Sequence, residues 1–231
     1  MSKKDAPISA LTSGQILDLS HTIASKLFSD VLYPFEVLPK ISDFIKEYGN
    51  TLSEKEYKKT GSDIWISKKA KVAETAHLSG PLIICEGAEI RHCAFIRGSV
   101  IVGKDCVVGN STELKNVILF DGVQVPHYNY VGDSILGYKA HMGAGSITSN
   151  VKSDKTYVEI KYGRQRIKTG LKKFGAVIGD RVEIGCGSIL NPGSVIGRDS
   201  MVYPLSSIRG YVPNKSIYKV KTTDIIIEKK D

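Results

Sequence analysis

The stretch "ISKKAKVAETAHLSGPLIICEGAEIRHCAFIRGSVIV", residues 66–102, decides the fold. Apolar residues recur at Ile66, Val72, Leu78, Ile84, Ile90, Ile96 and Val102, always six apart. A helix repeats its buried side chains every three or four residues, and a long strand every two. A period of six suits neither. It suits very short strands joined by tight turns and stacked as a parallel β-helix, with three hexads to a triangular coil.

The rhythm continues through Val108 and Leu114. A five-residue step leads to Leu119, Val125 and Val131, and another to Leu136, Met142 and Thr148. Residues 149–177 interrupt it, and it resumes with Ile178, Ile184, Leu190, Ile196, Val202 and Ile208. About seven coils fit this count. Glycine follows the inward residue at Gly103, Gly109, Gly137, Gly143, Gly179, Gly185 and Gly197, where it suits turning and close packing. Each coil covers the apolar face of the next, so the ends need covering.

The expected fold is therefore all-β: a parallel β-helix over 61–212, with a helical segment and linker over 1–60 and a tail over 213–231. In the first segment the spacing predicts a helix through Ile41, Phe44 and Ile45, with Pro39 near its start and Gly49 at its stop. This segment is expected to cap the β-helix or attach to its side. Within the interruption, Val158, Ile160 and Tyr162 alternate with Tyr157, Glu159 and Lys161 before Gly163, which predicts an inserted β-hairpin. Its Arg164, Arg166, Lys168, Lys172 and Lys173 give it a basic surface suited to phosphate, or simply to solvent.

Of the 231 residues, 42% are hydrophobic and 24% charged, which favours a folded core. The formal net charge of +8 suits anionic partners without choosing among them. Basic and aromatic residues do not interleave as on an RNA-binding platform, so nucleic acid is not the expected partner. No apolar run at the start has the length of a signal peptide's core, and none elsewhere approaches a membrane span. A cytoplasmic location without membrane partners is the expectation. The four cysteines, Cys85, Cys93, Cys106 and Cys186, form no C-x-x-C pair, and Cys85, Cys93 and Cys106 are expected to be small buried thiols in the repeat. His127 and His141 lack a clearly placed third ligand, so no metal site is expected.

The hexad repeat resembles the hexapeptide-repeat transferase superfamily, whose fold is a left-handed β-helix. The blocks "GNSTELKN", "VPHYNYVGDSILG" and "MGAGSITSN" are similar, in order and spacing, to the acetyltransferase domain of bacterial bifunctional N-acetylglucosamine-1-phosphate uridyltransferase/glucosamine-1-phosphate acetyltransferases. The likeness spans roughly residues 84–208. The later block "TGLKKFGAVIGDRVEIGCGSILNPGSVIG" looks more like related sugar-1-phosphate nucleotidylyltransferase-type proteins, which carry a similar hairpin.

The resemblance implies an acyltransferase of amino-sugar metabolism and cell-envelope precursor supply. It would take acetyl-CoA as donor and the amine of a sugar phosphate or nucleotide sugar as acceptor, and would act as a homotrimer. It implies that His127 is the general base, and that Arg97, Lys115, Tyr130 and Asn150 bind the acceptor. Ala144 would lie near the acetyl carrier. The sequence supports part of this independently. Arg97 and Lys115 stand 18 residues apart, one coil, each directly after an inward residue, so they stack on one edge as a phosphate clamp. Attack of an amine on a thioester needs a base, because a protonated amine cannot attack.

Three departures matter. Nothing resembles the family's nucleotide-binding α/β domain, so uridyl transfer is not expected of this chain. Asn150 is followed by Val151, Lys152 and Ser153 where the family has tyrosine, aspartate and glycine, so an acid near the amine becomes Lys152. His141 replaces a family asparagine, and the family's coenzyme A-reaching arm is not evident at the C-terminus. An alternative follows: a non-catalytic module that binds a sugar nucleotide or assembles with a separate nucleotidyltransferase. A nucleic-acid or membrane-surface binder acting through the basic hairpin is the third possibility.

Overall fold

The computed structural model describes residues 8–220. From Ile64 onward the chain winds through strands of two to seven residues, three to a coil, each paired in parallel with the strand one coil away. Strands complete seven coils by Ile208, and Tyr211–Val212 and Ile217–Tyr218 begin another. This is the all-β, left-handed β-helix arrangement of hexapeptide repeats, with a short helical segment before it and a hairpin inserted in it. Most of the tail lies outside the described residues.

Three faces result. The first stacks Ile64–Ser67, Leu82–Ile84, Val100–Val102 and their successors. The second runs through Val107–Asn110, Gln124–His127, His141–Met142 and Glu183–Ile184. The third carries Phe95–Ile96, then the first residues of Glu113–Leu119 and of Tyr130–Leu136, then Ile147–Thr148. Those two seven-residue strands continue round a corner into the first face. They coincide with the two five-residue steps: with one residue fewer, the strand crosses the corner without a separate turn.

Each hexad's apolar residue points inward and the residue before it points outward. On the second and third faces the outward residues include Glu89, Phe95, Glu183 and Met201, none of them buried. On the first face they are Ile83, Ile101, Ile118, Ile135 and Val177, all at most 1% exposed. The N-terminal segment covers this stripe. Phe28 packs edge-on against Phe120, Phe35 packs against Phe174, and the rings of His21 and Tyr138 stack 3.6 Å apart. Asp180, fully buried, accepts the backbone N–H groups of Asp18 and Tyr138, each at 2.8 Å. Burial pushes its carboxyl pKa up, against those N–H bonds and the nearby Arg198. The helix Ile41–Gly49 forms as the spacing predicts, and it ends where the Trp65 ring occupies the space a Cβ on Gly49 would need. The segment is thus a side attachment, not an end cap. Each outward isoleucine it covers contributes about 1.5–3 kcal/mol relative to exposure.

The repeat glycines answer to packing and not to backbone handedness. None of the seven has positive φ, whereas Asp105, Ser111, Asn116, Lys139, Arg181 and Asp199 hold left-handed corners at φ between 53° and 57°. Gly109 is the tightest case: a methyl there would run into the backbone carbonyl of Pro126 in the next coil. Gly109→Ala is therefore expected to destabilise the fold by about 3 kcal/mol, read from the denaturant midpoint. An unchanged midpoint would show that the coils can separate freely at this point.

The inserted hairpin pairs Glu159–Tyr162 antiparallel with Gln165–Lys168. Val158 and Ile160 are buried and the Tyr162 ring stacks on Tyr211, so the insertion lies against the β-helix. Cys85 and Cys106 are buried as expected, but Cys93 is exposed, because it occupies a left-handed corner at φ 57°. Cys186 is exposed as well.

Candidate functional site

The shortened corners gather most of the residues singled out in the sequence. Lys115 and Asn116 lie at one and Asp133 at the next, and Lys115 pairs with Gly132 across the sheet. Asp133 is 4% exposed and holds φ 46°, a conformation aspartate tolerates better than most residues. Lys115 Nζ donates to Asp133 Oδ1 at 3.0 Å, and Asn116 Nδ2 donates to the same oxygen at 2.9 Å. Asn150 Nδ2 donates to Asp133 Oδ2 and, at 3.2 Å, to the Tyr130 hydroxyl. Arg97, one coil earlier, donates to Glu113 Oε1 at 2.7 Å. Burial raises the Tyr130 phenol pKa, and Asp133 and Glu113 add to the effect.

Four of the expected residues, Arg97, Lys115, Tyr130 and Asn150, therefore share one edge of the third face. Three members of the group, Asp133, Glu113 and Asn116, escaped the sequence reading. Asp133 follows Gly132, the coil partner of Lys115, and Glu113 is two residues short of Arg97's coil partner, so neither pair falls in exact coil register. Their presence changes the electrostatics. Each candidate phosphate cation already holds a carboxylate, and an incoming phosphate competes with it.

His127 stands at the other edge of the third face, at the corner with the second. Its ring is exposed and has no hydrogen-bond partner among the described residues. Its backbone is fixed. The His127 N–H donates to Asn129 Oδ1 at 3.1 Å, and the His127 carbonyl accepts the Gly145 N–H at 3.0 Å. Asn129 is buried, and its Nδ2 donates to the Gly143 and Ser146 carbonyls of the next coil. Elsewhere this interior column holds Thr112, Ser146, Ser188 and Ser206, whose single hydroxyls have no second polar atom, so Asn129 alone among these five can accept from its own coil and donate to the next through separate side-chain atoms. Ala144 is exposed one coil below His127 on the same corner. The third face thus carries an imidazole at one edge and a Tyr–Asn–Lys–Asp cluster at the other, with Tyr130 three residues after His127 on the strand between them. No group of three or more His, Cys, Asp or Glu side chains suited to a metal occurs among the described residues.

His141 is placed differently. It lies on the second face, and its Nδ1 is 2.7 Å from Glu183 Oε2. Lys152, in place of the family acid, turns to Asp154 at 3.2 Å and to the Thr156 hydroxyl.

Hexads, shortened corners and the inserted hairpin together define a hexapeptide-repeat, left-handed β-helix transferase domain of the GlmU acetyltransferase type. More narrowly, the chain belongs to the GMPPB C-terminal domain family, whose model matches residues 78–227. It is 32% identical over 221 residues to the Bifunctional protein GlmU of Methanococcus maripaludis strain C5, covering 88% of this chain and 49% of that protein. It is 30% identical over 167 residues to a Bifunctional sugar-1-phosphate nucleotidylyltransferase/acetyltransferase of Sulfurisphaera tokodaii, covering 64% and 42%. The chain thus spans about half the length of these relatives or less. Among solved structures it is similar to an AntD N-acyltransferase mutant from Bacillus cereus in complex with dTDP and coenzyme A. That match has 20% identity and a TM-score of 0.31, covering 67% of this chain and 75% of that one. No α/β nucleotide-binding unit occurs among the described residues, and none of their helices is long and apolar enough to cross a membrane.

Proposed function

We propose that this chain transfers an acetyl group from acetyl-CoA to the amine of an amino-sugar phosphate or nucleotide sugar. The observation that carries the reading is the third face: an exposed imidazole on a locked backbone at one edge, and polar groups suited to a sugar at the other. The acceptor lies across this face between the two edges. His127 removes the ammonium proton, and the neutral amine attacks the thioester carbonyl directly. The tetrahedral intermediate collapses with release of the coenzyme A thiol, and no covalent enzyme intermediate forms. A locked imidazole of this kind acts as base only if a substrate proton comes within about 2.6–3.2 Å of it.

Tyr130 and Asn150 orient the acceptor, and Arg97 and Lys115 meet its phosphate in exchange for Glu113 and Asp133. Ala144, small and exposed one coil from His127, leaves room for the pantetheine arm. The name of the Sulfurisphaera tokodaii relative, sugar-1-phosphate nucleotidylyltransferase/acetyltransferase, accords with acetyl transfer. Our reading is of a cytoplasmic protein that acts as a homotrimer, since flat-faced prisms can pack side by side about a closed symmetry axis.

One observation favours the alternative of a non-catalytic sugar-nucleotide-binding module, with or without a separate nucleotidyltransferase partner. Both phosphate cations are already neutralised, and Lys152 replaces the family acid. The test is thiol release from acetyl-CoA against amino-sugar phosphates and nucleotide amino sugars. Release that depends on one of these acceptors supports catalysis, and no release on any of them leaves the binding module.

A further inference from the structure

One cavity lies away from the third face. It is a groove of about 550 Å³ beneath the inserted hairpin, where Lys152, Tyr157 and Lys168 stand around its wall. Lys152 also lines a second hollow of about 280 Å³, which is bordered by Ser149 and Val151 on either side of Asn150 and by Arg209. The two hollows therefore lead from the hairpin to the residue that binds Asp133 and Tyr130.

The chemistry of this groove is distinct. Tyr157 is 57% exposed, although a large aromatic ring gains from burial. Lys172 Nζ sits 5.9 Å from its ring. Among the described residues, neither Lys168 nor Lys172 nor Arg209 is paired with a carboxylate, whereas Arg97 and Lys115 both are. Arg209 instead donates to Asn191 Oδ1 at 3.0 Å. The acids nearby are already engaged: Asp154 with Lys152, and Glu159 with Arg166 at 3.6 Å. Of these unpaired cations, Lys168 lines the groove and Arg209 the second hollow, while Lys172 lies over the Tyr157 ring. Buried Val158 and Ile160 hold this wall against the β-helix, so the site is preformed.

We propose that the groove beneath the hairpin and the adjoining hollow together bind the nucleoside diphosphate of a nucleotide-sugar acceptor, with the base stacked on Tyr157 and the diphosphate held between Lys168 of the groove and Arg209 of the hollow. The sugar then extends past Lys152 to Asn150 and the third face. This deepens the acetyl-transfer reading by choosing the nucleotide sugar over the sugar monophosphate. A flat exposed ring stacks on any base, and cations without carboxylate partners meet a diphosphate without first giving up an existing bond.

The test is calorimetric titration of the full chain with UDP, GDP, ADP and dTDP, with pyrophosphate as the base-free probe. At least one nucleoside diphosphate binds, at least tenfold more tightly than pyrophosphate. Tyr157→Ala and Lys168→Ala each weaken it about tenfold, while circular dichroism and coenzyme A affinity stay unchanged. Both side chains are exposed, so loss of the fold would not mimic loss of binding. No nucleoside diphosphate binding, or affinity unchanged in both variants, overturns the proposal. So does binding of a single-stranded oligonucleotide in place of every nucleoside diphosphate. Thiol release measured alongside separates the two claims. Turnover on an amino-sugar monophosphate without nucleotide binding sinks this inference alone. Nucleotide binding lost in the variants, with no turnover on any amine, sinks the acetyl-transfer reading alone.

Discussion

His127→Ala lowers acceptor-dependent thiol release roughly a hundred- to ten-thousand-fold, the range a single general base supplies. The loss falls on kcat, because a general base acts on the proton in the transition state. Coenzyme A affinity and the thermal midpoint stay at wild-type values. The ring is exposed and without a hydrogen-bond partner among the described residues, so its removal leaves no buried group unsatisfied. His127→Gln, which keeps a polar side chain without an imidazole base, is equally slow. Asn129→Ala separates positioning from chemistry. It removes the bridge to the Gly143 and Ser146 carbonyls, so His127 remains but its backbone loosens. Turnover then falls between wild type and His127→Ala. A His127→Ala enzyme within threefold of wild type would remove this residue from the mechanism.

Asp133→Ala destabilises the fold by about 3 kcal/mol, the cost of leaving three half-buried donors without their shared acceptor. For a chain of this size that lowers the thermal midpoint by about 10 °C. Three donors lose their acceptor together: Lys115 Nζ, Asn116 Nδ2 and Asn150 Nδ2. Alanine also holds the left-handed backbone of this corner less readily than aspartate. Asp133→Asn keeps the backbone preference and an accepting oxygen, so it loses less than alanine does. Loss of Asp133 also frees Lys115, and the two effects separate by measurement. Asp133→Asn weakens the fold but leaves Lys115 available to phosphate, so KM for a sugar-1-phosphate falls or holds while the midpoint drops. A midpoint unchanged in Asp133→Ala would show that the carboxylate is not the hub of this corner.

The β-helix was legible because its signal is repetitive. One hexad alone is ambiguous, but nine in step from Ile66 to Leu114 leave no other periodic structure. The hairpin showed itself by alternation broken at Gly163, and the helix by the spacing of Ile41, Phe44 and Ile45. What stayed hidden depends on contacts between coils. Glycine's role at Gly109 is set by Pro126, a residue of another coil. The outward isoleucines Ile83, Ile101 and Ile118 belong to runs of three apolar residues confined to one face. Such a run on a strand that otherwise alternates marks a covered face, which places the N-terminal segment on the side. Of the candidate site, the residue types were legible through the family blocks, but the pairing of Arg97 and Lys115 with Glu113 and Asp133 was not. A motif names a cation, and only the fold shows which carboxylate has reached it first. The groove beneath the hairpin was legible only as an excess of basic residues, because its walls bring Lys152, the stretch 156–159 and Lys168 of the returning strand together.

The most direct test of the account is a crystal structure of the chain with coenzyme A and an amino-sugar acceptor, in phosphate or nucleotide form. The account predicts the acceptor amine within about 3.2 Å of a His127 ring nitrogen, with its sugar lying across the third face toward Tyr130 and Asn150. An amine seated instead beside the His141–Glu183 pair, or an acceptor bound away from the third face, would contradict it.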